Sequence, residues 1–336
     1  MSRITVLGSG AWGTAIALSL ANKGDHEVTL WSHRAEAAKA LYQARENRHF
    51  LPGFRFPDSL AITASDREAI ASAEILVCVV PSEFLRATIA RLAAHMHPGQ
   101  ILVSGTKGIE DHSFLRMTEV IQSCLGDAGL TLPVGTLSGP SFAQEVAAGM
   151  PTAVTIAFAD TTVAATVQQA FSSPTLRLYT NDDVIGVELG GALKNVIAIA
   201  AGALAGLSLG SNSAAALITR GITEITRLAV AAGGRRETLA GLSGIGDLVL
   251  TCTGSLSRNR TVGFELGRGR KLLEILASLD GKVAEGVRTT RAALGLARKL
   301  GVEMPITEQM GLILDEGKDP KEAIRDLMLR PSRDED

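Results

Sequence analysis

Three cysteines occur in 336 residues, Cys78, Cys124 and Cys252, an odd number, widely spaced and without a Cys-x-x-Cys pair. That excludes a disulfide framework and a structural zinc site, and it fits a reducing compartment. Charge of one sign is missing too. With 33 Lys and Arg against 35 Asp and Glu, the formal charge of -2 offers no footprint for nucleic acid or an anionic membrane. Any anionic ligand must therefore be held by local clusters. The most apolar run, Val196 to Gly210 (VIAIAAGALAGLSLG), falls short of the about 20 residues of a spanning helix and is interrupted by glycine. It is expected to be a buried core helix, with no stable membrane insertion. The first strand is expected from about Ile4, which leaves no room for a signal or transit peptide and points to a cytoplasmic chain. Neither a Gly-x-Ser-x-Gly elbow nor a complete Walker lysine motif occurs. His95-Met96-His97 has no third ligand at metal spacing, so it is expected to be a surface loop, and no metal site is expected.

What is present is a core-forming composition and a glycine motif. Apolar residues make up 46% and charged residues 20%, and the length suggests two domains. The stretch Ile4 to Gly13 (ITVLGSGAWG) joins a short apolar strand to Gly-x-Gly-x-x-Gly, and the small apolar residues Thr14 to Leu20 follow as a helix. Strand, glycine turn and helix in that order lay a dinucleotide pyrophosphate on a helix N-terminus. Gly8 serves the tight turn, Gly10 the close approach of backbone to phosphate, and Gly13 the packing of helix on strand. The next strand, Glu27 to Trp31, ends in Ser32-His33-Arg34 rather than in the acidic residue that takes a ribose 2′-hydroxyl. Arg34 with His33 suits a 2′-phosphate, which favours NADP(H) and leaves NAD(H) open. The other reading of Arg34 is a solvated residue at the start of the next helix.

Further apolar strands are expected at Ile75 to Val80, Ile101 to Ser104, Val134 to Leu137, Pro151 to Ala157 and Leu176 to Thr180, while Arg45 to Asp58 reads as a loop near the adenine. Alternation with helices predicts a doubly wound, mainly parallel α/β Rossmann sheet with ligands outside the carboxyl ends of its strands. Pro140 reads as the first residue of a helix behind Ser138-Gly139. From about Val184 the pattern is helical. The expected division is 1–184 as a dinucleotide-binding Rossmann domain, 185–330 as an all-α substrate and catalytic domain, and 331–336 as a polar tail.

Four features of the second half carry chemistry. Lys194 is a lone cation in an apolar helix, where loss of water lowers a lysine pKa and suits it to proton transfer; the alternative is a lysine that snorkels to the surface. Asp247, closing GLSGIGD, either accepts from a substrate hydroxyl, orients Lys194, or caps a helix. Ser257-Arg258-Asn259-Arg260 is either a phosphate clamp or a solvated loop. Glu285 stands in a turn before a helix as a ribose acceptor.

Together, Gly8 to Gly13, Gly105-Thr106-Lys107-Gly108, Ser138 to Ala143 (SGPSFA), Leu193-Lys194-Asn195, Gly244 to Asp247, Ser257 to Arg260 and Glu285 to Arg288 resemble the bacterial type of NAD(P)-dependent glycerol-3-phosphate dehydrogenase over nearly the whole chain. The resemblance implies an oxidoreductase that converts dihydroxyacetone phosphate into sn-glycerol 3-phosphate for phospholipid synthesis, with Lys194 as proton donor and acceptor. It implies substrate contacts from Lys107, Gly139, Ser141, Lys194, Asp247, Ser257, Arg258 and Asn259. It implies cofactor contacts from Ala11, Trp12, His33, Arg34, Phe50, Lys107, Ala143, Arg258, Val283 and Glu285, beside the glycines. Ala11 replaces a common serine, which removes a hydroxyl but keeps the backbone donors, and Ala284 replaces a common valine. The resemblance also leaves a homodimer open. The alternatives are a β-hydroxyacid dehydrogenase of similar build and a non-catalytic NADP-binding regulator.

Overall fold

The computed structural model describes residues 1–279, 283–332 and 334. Lys282, in the stretch leading to Glu285, and Arg333, Glu335 and Asp336 of the expected tail lie outside the described residues.

The first half runs β1 (Ser2–Leu7), α1 (Ala11–Lys23), β2 (His26–Trp31), α2 (Ala35–Ala44), β3 (Glu46–Asn47), β4 (Leu51–Arg55), β5 (Leu60–Thr63), α3 (Asp66–Ile70), β6 (Ile75–Cys78) and α4 (Ser82–Ala93). It continues through β7 (Ile101–Ser104), α5 (Met117–Asp127), β8 (Val134–Ser138), α6 (Ala143–Ala147), β9 (Thr152–Ala157), α7 (Thr161–Phe171) and β10 (Leu176–Asn181). The all-apolar run of β6 and the nearly all-apolar run of β7 lack alternation because helices cover both faces of a parallel sheet. Eight strands form it in the order β10-β9-β8-β7-β6-β1-β2-β5, parallel throughout except where β8 meets β9. β1 pairs with β2 on one side and β6 on the other, so the strand order reverses there and opens a crevice beyond Leu7 and Cys78.

Two expectations need correction. Residues 45–58 are not a simple loop, since β3 and β4 form a two-stranded antiparallel ribbon. Pro52 is tolerated because a ribbon strand has only one partner, so its missing N–H need break no ladder. Pro140 does not begin a helix, because α6 starts at Ala143 behind Phe142. Gly139 holds φ +144° with Val154 Cα only 2.9 Å from where a Cβ would stand, and this tight turn places Pro140 ahead of the helix. His95 and His97 are exposed just beyond α4.

The second half is helical: α8 (Val184–Gly206), α9 (Ser211–Ala231), α10 (Arg236–Leu239), a π-turn (Leu242–Gly246), α11 (Asp247–Thr253), α12 (Arg258–Gly267), α13 (Leu272–Ala277), α14 (Glu285–Leu300), α15 (Pro305–Gly311), a second π-turn (Leu312–Glu316) and α16 (Pro320–Met328). The core helix α8 begins at Val184, where the helical pattern was expected to start, and takes in most of the apolar run from Val196 before ending at Gly206. Asp183 caps it by accepting from Gly186 N at 2.8 Å. It is long and apolar enough to cross a membrane, yet 89% of its most apolar window is buried inside the protein. Neighbours on all sides explain why its sequence shows no amphipathic stripe.

Candidate active site

The glycine turn sits at the reversal of strand order. Gly8 has φ +123°, and a Cβ on Gly13 would stand 1.9 Å from Gly8 O, so α1 closes directly on the end of β1. Gly10 differs, because nothing among the described residues lies within 4 Å of its would-be Cβ. The N-terminus of α1 therefore faces open space, as an anion at a helix N-terminus requires. Trp12 Nε1 is buried without a partner among the described residues and lies 3.3 Å from where Gly105 would carry a Cβ, at the carboxyl end of β7.

His33 and Arg34 are exposed at the end of β2, with Arg34 at the N-cap of α2. Partial burial, with Arg34 and Arg91 nearby, holds the His33 imidazole below its ordinary range. His33 is thus neutral near pH 7 and Arg34 is the standing cation of the pair. Phe50 lies half-buried on the ribbon, edge-to-face with His49. Ala143 opens α6 and packs against the core of the Rossmann half.

The chemistry gathers around Asp247, which is 1% exposed. Lys194, from the middle of α8, donates to Asp247 Oδ1 and, at 2.8 Å, to Thr251 Oγ1. Lys107, from the turn after β7, donates to Asp247 Oδ2 at 2.7 Å. The Rossmann sheet thus contributes one lysine and the helical half the other. Burial pulls the Lys194 ammonium down to about 7, with Asp247 opposing the shift and Lys107 adding to it. Both of its protonation states are accordingly populated near neutral pH. Lys194 does not snorkel, since its side chain is only 8% exposed. Asp247 is not an N-cap either, though its backbone closes the π-turn. It is the first residue of α11, behind Gly246.

Ser257 caps α12 by accepting from Arg260 N at 3.2 Å, and Arg258, in the first turn, is partly exposed, with burial lowering its guanidinium pKa against the pull of Glu285. Asn259 is committed to the framework: its Nδ2 donates to Asn195 Oδ1 at 2.9 Å and its Oδ1 accepts from Gly286 N at 3.0 Å, tying α12 to α8 and α14. Glu285 opens α14 rather than a preceding turn, and its Oε2 is enclosed without a hydrogen-bond partner among the described residues. Burial pushes this carboxyl up to about 7, against the pull of Arg258. Val283 is half-buried beside it in sequence. Ser141 donates to Gly139 O at 3.0 Å, on the turn after β8. Three residues were given no role by the sequence: Thr251, Asn195, which stands in the Leu193-Lys194-Asn195 motif, and, in the ribbon, Asn47. Of these, Thr251 was within reach, because it lies one helical turn beyond Asp247.

A dinucleotide cradle at the reversal of a Rossmann sheet, beside a buried lysine that titrates near neutrality, defines the class as a nicotinamide-dependent oxidoreductase. The comparisons with known proteins are more particular. The family profile for the N-terminus of NAD-dependent glycerol-3-phosphate dehydrogenase matches residues 3–164, and that for its C-terminus matches residues 183–325. The chain belongs to this family. It is 61% identical over 338 residues to glycerol-3-phosphate dehydrogenase (NAD(P)+) of Acidobacterium capsulatum, covering 100% of both chains. It is 55% identical to the protein of the same name from Koribacter versatilis, covering 100% of this chain and 99% of that one. The crystal structure of glycerol-3-phosphate dehydrogenase from Coxiella burnetii superposes with a TM-score of 0.93 at 40% identity, covering 98% of this chain and 99% of that one.

Proposed function

We propose that this chain interconverts dihydroxyacetone phosphate and sn-glycerol 3-phosphate, favouring NADP(H) and accepting NAD(H), and that it supplies glycerophospholipid synthesis in the cytoplasm. The observation that carries the reading is Lys194, buried in α8 with a pKa near 7 and held between Asp247 and Thr251. Residues 1–184 are read as the nucleotide-binding unit and 185–330 as the unit that brings the proton donor. A homodimer belongs to the same reading on family grounds alone.

The residues fit a dinucleotide. Gly10 leaves room for phosphate, and Trp12 Nε1 and Glu285 Oε2 are buried polar atoms, without partners among the described residues, that a bound ligand can satisfy. Gly8, Gly10, Ala11, Trp12 and Gly13 would hold the pyrophosphate, Arg34 the 2′-phosphate, Phe50 the adenine, and Glu285 with Val283 a ribose. When bound, the nicotinamide supplies the hydride that reduces the C2 carbonyl carbon.

The chain's own work is to position the substrate and move a proton. Protonated Lys194 stabilises the oxygen growing negative at C2 and delivers its proton there; in the reverse direction the neutral amine takes the proton from the hydroxyl. Asp247 and Thr251 aim the amine. Lys107, Ser141, Ser257 and Arg258 hold the phosphate and turn its binding energy into orientation of the ketone, with Gly139 and Asn259 shaping the wall. The test is the near-ultraviolet absorbance of reduced nicotinamide. Dihydroxyacetone phosphate should oxidise NADPH in preference to NADH. An enzyme inert towards this ketone but active on β-hydroxyacids, or one that binds NADPH without turnover, would overturn the reading.

A further inference from the structure

The β3–β4 ribbon holds one side chain that neither the chemistry above nor the core uses. Asn47 is 3% exposed, and its amide is fully engaged. Its Nδ2 donates to Ser9 O at 2.9 Å and to Thr14 Oγ1 at 2.8 Å, and its Oδ1 accepts from Phe50 N at 3.1 Å. The amide has only this orientation, because a carbonyl oxygen cannot donate and a backbone N–H cannot accept. The ribbon is itself anchored. Arg45 donates to Leu60 O at 3.1 Å and also to Pro57 O, while Phe56 N donates to Arg45 O at 2.7 Å.

The bond to Ser9 O has a consequence for the glycine turn. Ser9 C=O and Gly10 N–H belong to one trans peptide and point in opposite directions. Fixing the oxygen from the ribbon side therefore aims the Gly10 N–H away from the ribbon, towards the open space at the start of α1. It also turns the one group of that peptide that repels an anion away from it.

We propose that Asn47 is a positioning residue for the dinucleotide: it orients the Ser9–Gly10 peptide for the pyrophosphate and ties the backbone of Phe50 to the same turn. This rests on the reading of the glycine turn as the pyrophosphate site. The pyrophosphate is common to both cofactors, so the effect does not depend on the 2′-phosphate.

The test uses the full-length protein and NADPH and NADH titrations by cofactor fluorescence. Asn47→Asp keeps the shape, removes the donor and sets a carboxylate against Ser9 O. It should raise the Kd of both cofactors alike by about ten-fold or more, with kcat and the KM for dihydroxyacetone phosphate little changed. Asn47→Ser serves if the aspartate variant fails to fold. Thr14→Val removes only the second acceptor, so it should lower the Tm and leave both Kd values near the parent's. Gly10→Asp separates this inference from the reading beneath it, because the side chain has room and a good N-cap residue, yet it places a negative charge on the phosphate site. Loss of cofactor binding in Gly10→Asp with normal Kd in Asn47→Asp overturns the role of Asn47 alone. Normal binding in Gly10→Asp overturns both, and equal Kd changes in Asn47→Asp and Thr14→Val reduce Asn47 to a structural tie.

Discussion

Two titratable groups of the site are held far from their ordinary pKa by burial, in opposite senses. Lys194 comes down to about 7 and Glu285 goes up to about 7. Burial without full pairing costs stability, and such costs are tolerated where a ligand or a reaction uses the group. For Glu285 the cost has a definite pH dependence. Between its unfolded pKa, near 4.5, and its folded value of about 7, the folded protein binds the extra proton, so stability falls as pH rises through that window. Glu285→Gln removes a penalty that is absent well below the window and complete above it. The substitution should therefore raise the Tm of the ligand-free protein by about 2–4 °C or more near pH 8 and by much less near pH 5, while weakening cofactor binding. Equal shifts at both pH values would contradict the assignment. At this scale the sequence was legible where a residue was out of place. A single cation in an apolar helix and a carboxylate in a glycine-rich stretch are anomalies that can be seen without coordinates. Asn195 and Asn47 are neutral polar residues of ordinary type, and only their partners reveal them, whereas Thr251 could be found from its place one helical turn beyond Asp247.

Helices α8 and α12 set the distance between the proton donor and the phosphate-side residues. They meet backbone to backbone: a Cβ on Gly263 would stand 1.8 Å from Ile199 O, and one on Gly202 would stand 2.0 Å from Arg260 O. No side chain fits between them, so Lys194 and Arg258 are carried on a contact with little freedom, with the Asn195–Asn259 bond one residue further along each helix. Gly263→Ala should destabilise the protein by about 3 kcal/mol or more and raise the KM for the phosphorylated substrate as α12 shifts. A melt and a substrate titration check both, and an unchanged Tm would show that the contact yields. The glycines were visible in sequence, but the partner each one meets was not, because helix pairing is set by tertiary packing. The strands of the parallel sheet were legible as apolar runs. β5 passed unread because Leu60 to Thr63 is short and sits at the sheet edge, and the ribbon passed for a loop because Pro52 and Gly53 punctuate it.

Across the whole molecule, the two halves are joined by buried polar contacts. Glu188, on α8 ahead of Lys194, accepts from Thr118 N at 2.8 Å, from the Thr118 hydroxyl at 2.6 Å and from Arg116 at 2.5 Å, fastening α8 to the start of α5. A Cβ on Gly191 would stand 2.3 Å from Ser138 Oγ, which brings α8 directly against the end of β8. These joints deliver Lys194 from the helical half to Lys107 from the sheet, across a sequence separation that no local pattern reports. The order of motifs along the chain was enough to see the family; the Lys107–Asp247–Lys194 cluster needed the fold. The central claim is that Lys194 moves the proton and does not merely fill the site. Lys194→Met, assayed with dihydroxyacetone phosphate at saturating NADPH and with NADPH affinity measured on the same preparation, tests it most directly. The account predicts a kcat lowered by about 10²–10⁴-fold with cofactor affinity retained; near-normal turnover by the folded variant would contradict it.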